Sequence, residues 1–210
     1  WEPLSPDLKH LRALVRRLID LQANYRQEES RLSSGEKDAW VIQDLSGHAE
    51  YLKARIQATE EEIQNFINQT PGLKAKQDLL VSIPGVGKKS SARLLAELGE
   101  ISGFENAPQL AAYAGLNPKG CSSGSSVHKK TRISKQGRSE LRACLYMPAI
   151  VAMTHNPVVR ALKERLQKKQ LPTMAIVVAC MRKLLHIVYG VLKSQRPFDP
   201  DYDRQFNYSA

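Results

Sequence analysis

Hydroxyl groups and positive charges lie side by side in the middle of the chain. Residues 121–126 are rich in serine and include Ser122, Ser123, Ser125 and Ser126 around Gly124. Serine and glycine build no hydrophobic core, so this segment is predicted to be a loop. Because a hydroxyl nucleophile beside a cationic field suits chemistry on a phosphodiester, the loop is a candidate active site. A solvated basic loop without chemistry is the simpler interpretation of the same composition.

The cations of this segment directly follow the serines. Between residues 128 and 142 only Glu140 opposes the basic side chains, which are Lys129, Lys130, Arg132, Lys135, Arg138 and Arg142. We expect these cations to neutralise a bound phosphate. Arg138 and Arg142 lie one helical turn apart and are expected to project together. His128 is a further candidate for a base or a phosphate ligand.

A glycine-rich turn between two helical segments forms a second candidate site. The order over residues 83–87 is apolar, proline, glycine, apolar, glycine, and Lys88 and Lys89 follow at the start of a helix. Gly85 and Gly87 let the backbone approach a phosphate, and a helix N-terminus offers free N–H groups and a positive dipole end. This pattern is typical of a helix-hairpin-helix DNA-binding motif, and it lacks the spacing of a Walker phosphate loop. A tight turn that binds nothing is the alternative.

Charge is distributed unevenly along the chain, whose net charge is +10. Residues 1–70 contain 9 Lys or Arg and 12 Asp or Glu, whereas residues 71–210 contain 22 and 9. A basic second part favours a polyanionic partner, and nucleic acid is preferred to a membrane surface because no basic amphipathic helix carries aromatic anchors. The three cysteines form no C-x-x-C pair, which favours reduced thiols in a cytoplasm. We expect neither membrane insertion nor secretion.

The first 70 residues predict a helical arm. One helix is expected after Pro6, with an apolar stripe from Leu8 to Leu21, and Ser33, Ser34 and Gly35 are expected to end it. The second helix has apolar residues at alternating spacings of four and three from Leu45 to Phe66, which is a heptad pattern. An antiparallel helical hairpin, a coiled-coil dimerisation arm and an ordinary pair of bundle helices all fit this pattern.

The remaining residues predict helices without a persuasive strand, so the chain is predicted to be all-α. Its expected parts are an arm over residues 1–70, a domain with the helix-hairpin-helix over 71–196 and an irregular tail over 197–210. The last long helix, Thr173 to Lys193, is apolar on most sides and is expected to be the buried centre of the domain. Arg182 and Lys183 on its polar side are candidate contacts to nucleic acid. His155 and His186 are expected to be capping or core residues.

A series of short motifs in a fixed order resembles the C-terminal part of insertion-sequence transposases related to the Piv DNA invertase, the group guided by a bridge RNA. The resemblance covers residues 1–200 and rests on the motifs at residues 83–87, 112–118, 123–124, 133–137, 141–142, 146–149, 155–157 and 181–185.

The resemblance implies a recombinase with a RuvC-like domain, a coiled-coil arm and a transposase domain that donates a serine nucleophile. The matching serine is Ser123, with Ser122 as the neighbouring candidate and Ser125 and Ser126 as weaker ones. The resemblance also implies magnesium bound by four acidic residues of the RuvC-like domain, DNA and guide RNA as partners, and a cytoplasmic, nucleoid-associated protein.

The acidic quartet of that family has no counterpart in this sequence. Glu97 and Glu100 are three residues apart and are expected to be a solvated pair rather than a metal site. We therefore expect no metal or other cofactor in this chain, an absent N-terminal acidic domain, and a fragment that binds DNA without cleaving it. The heptad arm favours a homo-oligomer.

Two other classes of function stay open at this point. The first is a DNA-binding module without catalysis, and the second is a helical interaction protein whose charge only keeps it soluble. A covalent protein–DNA adduct distinguishes the recombinase from both. Tyrosine nucleophiles at Tyr113, Tyr146 or Tyr189 are disfavoured because each lies on an apolar helix face, where packing is usual.

Overall fold

Helices account for almost all the regular structure of the residues that the computed structural model describes, which are 4–123, 127–134 and 136–201. Between residues 119 and 132 this description is limited to the backbone. The predicted all-α class is confirmed. The described chain divides into two compact units between Lys74 and Ala75. The domain bounds expected from the sequence, at residues 70 and 196, stay a prediction.

The first unit is a helical hairpin. Helix α1 (Pro6–Ser33) is capped by Ser5, whose hydroxyl accepts a hydrogen bond from the Leu8 amide, and α2 (Ala39–Gln69) is capped in the same way by Asp38. The predicted stripe is buried, and its members are Leu8, Leu11, Val15, Leu18 and Leu21. Gly35, with φ of +89°, lies in the turn that separates the two helices.

A buried carboxylate links the two helices of the arm. Glu28 of α1 is only 6% exposed, and one of its oxygens lies 2.9 Å from Nδ1 of His48 in α2. Arg31 donates to the other oxygen at 3.0 Å. Burial by itself raises the pKa of Glu28, but the hydrogen bonds from His48 and Arg31 outweigh it and lower the pKa. The carboxylate therefore stabilises the arm in its ionised form.

The second unit is built around its last helix. In chain order its helices are α3 (Pro71–Val81, which begins in the first unit), α4 (Lys88–Leu98), α5 (Ala107–Tyr113), α6 (Ser139–His155), α7 (Pro157–Lys168) and α8 (Thr173–Ser194). A short 3₁₀ turn, Ile101–Gly103, lies between α4 and α5. Helix α8 contacts α5, α6, α7 and the 3₁₀ turn. This confirms its predicted place at the centre of the domain.

Helix α8 is also long and apolar enough to cross a membrane by length and composition alone. Half of its 18-residue apolar stretch is buried inside the protein. The fully buried residues include Cys180, Leu184, Leu185 and Val188, all at 0% exposure. A core helix of this kind passes the same compositional test, so its hydrophobicity is explained by its packing.

A two-stranded antiparallel ribbon interrupts the helices. Strand β1 (Pro118–Ser123) pairs with β2 (Val127–Ile133), and the register joins Pro118 to Ile133 and Ser123 to Val127. The loop prediction is therefore wrong for these two stretches. That prediction gave more weight to the serines and charges than to the β-branched residues at alternating positions of β2. These residues are Val127, Thr131 and Ile133. Residues 124–126 lie outside the described chain.

Candidate nucleic-acid interface

The turn between α3 and α4 is held closed by its own backbone and by buried side chains. Ile83 is 0% and Val86 3% exposed, and the Val86 amide donates to the Ile83 carbonyl at 2.9 Å. Two helices joined by such a tight turn are compatible with the predicted helix-hairpin-helix, and the assignment of that motif stays a prediction.

The two glycines of this turn have different physical roles. Gly85 has φ of +104°, and a Cβ on it would lie 2.8 Å from both Cβ and N of Ala152 in α6. Gly85 is therefore required for close packing against α6. Gly87 has φ of −89° and a Cβ there would meet no atom within 4 Å, so its backbone faces open space. Of the two, Gly87 is the one that a phosphate can approach.

The start of α4 presents cations around an N-terminus whose cap residue has no side chain. Lys88 and Lys89 are exposed in the first turn. The Lys88 carbonyl accepts from the hydroxyl of buried Ser91 at 2.8 Å and from Nε2 of buried Gln77 at 3.4 Å. These bonds fix the backbone of the first turn while the two ammonium groups remain at the surface. Positive charge and helix N–H groups at one place favour an anionic ligand.

The ribbon places Ser123 at the end of β1. Its backbone pairs with Val127, and Ser122 pairs with His128. The side chains of Ser122, Ser123, His128, Lys129, Lys130 and Arg132, and the whole of Ser125, Ser126 and Lys135, lie outside the described part of the structure. The backbone therefore assigns the candidate nucleophile to the tip of the ribbon, next to residues 124–126.

Backbone hydrogen bonds fix both ends of the ribbon. The Ser134 amide donates to the Asn117 carbonyl at 2.9 Å, and the Arg138 amide donates to the Tyr113 carbonyl at 2.9 Å. Gly137, with φ of +144°, passes so close to Tyr113 that a Cβ would collide with the Tyr113 carbonyl oxygen. The chain thus enters the ribbon from the end of α5 and returns to the same place.

Arg138 makes an ion pair at this closure. Its Nη2 lies 2.9 Å from Oε2 of Glu97 in α4, and its Nη1 donates to the Tyr113 hydroxyl at 2.9 Å. Burial lowers the pKa of Arg138, and the Tyr113 hydrogen bond together with the charge of Glu97 more than offsets this, so the pKa is raised. The guanidinium therefore stays charged at any physiological pH.

Arg142 reaches the same segment from the next turn of α6. Its Nη1 donates to the Ala114 carbonyl at 3.0 Å and to the Gly137 carbonyl at 3.4 Å. The two arginines do project together, as predicted. Both guanidinium groups are bonded within the protein, and a phosphate contact by either one stays a prediction.

The expectation of a solvated Glu97–Glu100 pair is wrong for Glu97. Glu97 is 1% exposed and paired with Arg138, whereas Glu100 is more open and lies 3.0 Å from Nζ of Lys76. The α4 packing against α6 turns Glu97 inward, which the spacing of three residues could not indicate. With each carboxylate bonded to a cation, this pair does not fit a magnesium site. No cluster of three or more potential metal ligands occurs among the described residues.

Cys144 of α6 lies near this ion pair and has an unreactive thiol. Burial, and then the charge of Glu97, raise the pKa of its thiol to about 12. The sulfur donates to the Leu141 carbonyl at 3.2 Å. Since the thiolate is the reactive form, Cys144 is excluded as a nucleophile at neutral pH.

The region that contains these features is similar to known transposases. Residues 77–164 match the family described as Transposase IS116/IS110/IS902 family. Over 200 residues the chain is 35% identical to the pilin gene-inverting proteins of Moraxella bovis and Moraxella lacunata, which is 95% of this chain and 62% of each relative. It is 26% identical over 153 residues to the insertion element IS110 uncharacterized 43.6 kDa protein of Streptomyces coelicolor, covering 73% of this chain and 36% of that protein.

These similarities support an insertion-sequence transposase. The chain spans about three fifths of the length of the pilin gene-inverting proteins and less of the insertion-element protein. The region matched by the transposase family runs from α3 into α7 and contains the glycine turn, the ribbon and the Glu97–Arg138 pair. The candidate site therefore lies in the part of the chain that is most clearly transposase-like.

Arg182 and Lys183 of α8 lie beyond that matched region and are half-buried. Lys183 and His186 line a cleft of about 290 Å³ against residues 196–200. Burial, followed by the charges of Arg182 and Lys183, lowers the pKa of His186. His186 is therefore a neutral, partly buried side chain, and a nucleic-acid contact by Arg182 or Lys183 stays a prediction.

Asn156 is a structural residue whose role the sequence reasoning missed. It is fully buried, its Oδ1 accepts from the amides of Val158 and Val159, and its Nδ2 lies 3.5 Å from the Pro84 carbonyl. It thus caps α7 and contacts the glycine turn. Asparagine followed by proline at a chain break is the signal that was available. His155 is exposed at the end of α6, so the expected core role is wrong, whereas a capping role in the last turn stays a prediction.

The tyrosine side chains with described partners are packed or bonded. The Tyr113 hydroxyl accepts from Arg138, and the Tyr189 hydroxyl donates towards the carbonyls of Phe104 and Glu105 at 3.1 and 2.8 Å. Tyr146 is exposed, at 39%, so the packed position expected for it is wrong. These environments agree with the structural roles expected for Tyr113 and Tyr189.

Proposed function

We propose that this chain is the DNA-recombining part of a transposase and that Ser123 is its nucleophile. Support comes from the similarity to transposases and pilin gene-inverting proteins together with the backbone position of Ser123 at the tip of the ribbon. A serine at the end of a ribbon strand, beside the turn, is in the kind of position from which loops and turns commonly present binding and catalytic residues.

The reaction that we propose is a transesterification. The Oγ of Ser123 attacks a DNA phosphorus, and one P–O ester bond of the strand breaks as the Oγ–P bond forms. The released strand end leaves as a hydroxyl and takes up the proton that the serine loses. Because one ester replaces another, the link conserves the energy needed for rejoining.

The cations that follow the serines in sequence would stabilise this reaction by neutralising the phosphate. Within that group we assign the direct contacts to Lys129, Lys130, Arg132 and Lys135, since the guanidinium groups of Arg138 and Arg142 are bonded within the protein. The turn at Gly87, with Lys88 and Lys89, would hold a phosphate elsewhere along the strand.

We further propose that the whole protein needs an N-terminal acidic, magnesium-binding domain for cleavage, uses guide RNA to choose its target, and acts in the cytoplasm at the nucleoid. The arm is the proposed site of homo-oligomerisation. Exposed aromatic residues on α2 support this, with Trp40 at 72% and Tyr51 at 59% exposure.

The test of the nucleophile uses the chain joined to such an acidic domain, with guide RNA, magnesium and end-labelled target DNA. We expect an adduct that survives denaturation in the original protein and in Ser122→Ala, and its loss in Ser123→Ala. An adduct that persists in Ser123→Ala would refute the assignment.

A DNA-binding module without catalysis is the second candidate, and the exposed Lys88 and Lys89 beside Gly87 favour it. It predicts salt-dependent DNA binding by this chain with no adduct under any condition. The recombinase predicts the same binding by this chain and an adduct when the acidic domain is present.

A further inference from the structure

We infer that Glu97 is a positioning residue, whose ion pair with Arg138 holds the base of the ribbon so that Ser123 meets its phosphate. The role assigned to Ser123 rests on the proposed function, whereas the ordering of the ribbon base does not. Glu97 lies in α4 and is distant in sequence from the ribbon, so it acts through Arg138 and touches no DNA.

The argument begins with where the chain closes the ribbon. The ribbon strands span residues 118 to 133, and the bonds from Ser134 to Asn117 and from Arg138 to Tyr113 clamp the two flanks together. Arg138 contributes to this clamp twice, because its backbone amide and its guanidinium both bond to Tyr113. The direction of its side chain therefore determines how α5 and the start of α6 meet.

Glu97 fixes that direction. Its side chain is 2% exposed and lies 2.9 Å from Nη2, whereas the Arg138 side chain is 24% exposed. Because a buried carboxylate favours a paired cation, the contact with Glu97 opposes movement of Arg138 towards a phosphate. The pair is thus a fixed support, and this is why Arg138, in a basic segment, is oriented towards the protein.

Hydrogen bonds from Arg142 and the close approach of Gly137 restrict the backbone next to Arg138. Arg142 donates to the Ala114 and Gly137 carbonyls, so it joins the residue before Arg138 to the end of α5. Gly137 approaches the Tyr113 carbonyl closely, which leaves no space for the flanks to slide. A small rotation of Arg138 would therefore displace the ribbon base, and a displacement is amplified at the ribbon tip, where Ser123 lies.

The experiment compares Glu97→Gln with Glu100→Gln as a matched control. Both remove one negative charge near the C-terminal end of α4, but the Glu100 side chain is 39% exposed and pairs with Lys76 rather than with Arg138. Amide hydrogen exchange rates of this chain are measured at two sets of residues. Ser134 and Arg138 represent the ribbon base, and Cys180 and Leu184 represent the α8 core. We expect Glu97→Gln to accelerate exchange at the ribbon base by about 10- to 100-fold relative to the α8 core. Glu100→Gln should leave both sets at the original rates.

The double variant Glu97→Gln, Arg138→Gln separates positioning from simple core stability. Because this variant has no unpaired buried charge, it should recover much of the thermal stability lost by Glu97→Gln. The amides at the ribbon base should still exchange quickly, because the guanidinium that donates to the Tyr113 hydroxyl is gone. In the chain joined to its acidic domain, adduct formation by Glu97→Gln should slow by about tenfold or more with DNA affinity within about twofold.

Two outcomes would overturn the inference. Exchange at Ser134 and Arg138 that stays at the original rate in Glu97→Gln would show that the pair does not order the ribbon. Equal acceleration in the α8 core would show that Glu97 only stabilises the domain. If the original protein forms no adduct, the proposed function fails, and the exchange data still decide whether Glu97 orders the ribbon base.

Discussion

The glycine turn gives the sharpest prediction about stability, because the same substitution is expected to be costly at one of its glycines and nearly neutral at the other. Gly85→Ala places a methyl group 2.8 Å from N and Cβ of Ala152 at a backbone with φ of +104°. An L-residue at positive φ costs about 1–2 kcal/mol. Forcing atoms into packed surroundings costs about 1–3 kcal/mol more. The free energy of unfolding of the second unit should therefore fall by about 2–5 kcal/mol.

The matched control is Gly87→Ala, where φ is −89° and the added methyl group meets no atom within 4 Å. Its unfolding free energy should change by less than about 1 kcal/mol, the difference between glycine and alanine at an N-cap. DNA affinity should fall in this variant, because the methyl group obstructs a phosphate at the α4 N-terminus. Denaturant titration and fluorescence anisotropy with labelled duplex DNA measure the two effects. A Gly85→Ala protein as stable as the original would refute the packing role.

Three further predictions concern charge and reactivity. Because the pKa of Glu28 is lowered in the folded arm, its stabilisation is complete above the ordinary value of 4.5 and is lost as pH falls through the lowered pKa. Thermal melts by circular dichroism should show this loss, and Glu28→Gln should remove it. Replacing Lys88 or Lys89 by Gln should weaken DNA binding for all sequences alike and reduce the salt slope by about 1 each; an unchanged slope would place the DNA elsewhere. In a chain carrying Cys121→Ser and Cys180→Ala, Cys144, with a pKa of about 12, should react with a thiol reagent at pH 8 at least about 100-fold more slowly than free cysteine.

The helices could be predicted from sequence because their signals are local. The stripe from Leu8 to Leu21 repeats at helical spacing, and Gly35 marks the turn that follows it. The ribbon was missed because composition outweighed a short alternation in β2, and strand pairing depends on a partner distant from the local pattern.

The candidate site was predictable in its residue types and not in their bonding. Serines beside cations identified the segment, and the proline–glycine turn identified Lys88 and Lys89. The sequence gives no sign that Arg138 turns towards Glu97, because 40 intervening residues separate them and the pairing depends on α4 packing against α6. Gly85 shows the same limit, since the contact with Ala152 that requires a glycine is a tertiary one.

The most direct test of the central claim is to locate the nucleotide on the protein. The chain joined to its acidic domain is reacted with guide RNA, magnesium and target DNA, then denatured, treated with nuclease and protease, and examined by mass spectrometry. Our account predicts a nucleotide phosphoester on Ser123 in the peptide that contains residues 121–126. A modification on Ser122 or on a tyrosine, or its absence from a protein that binds the DNA, would contradict the claim.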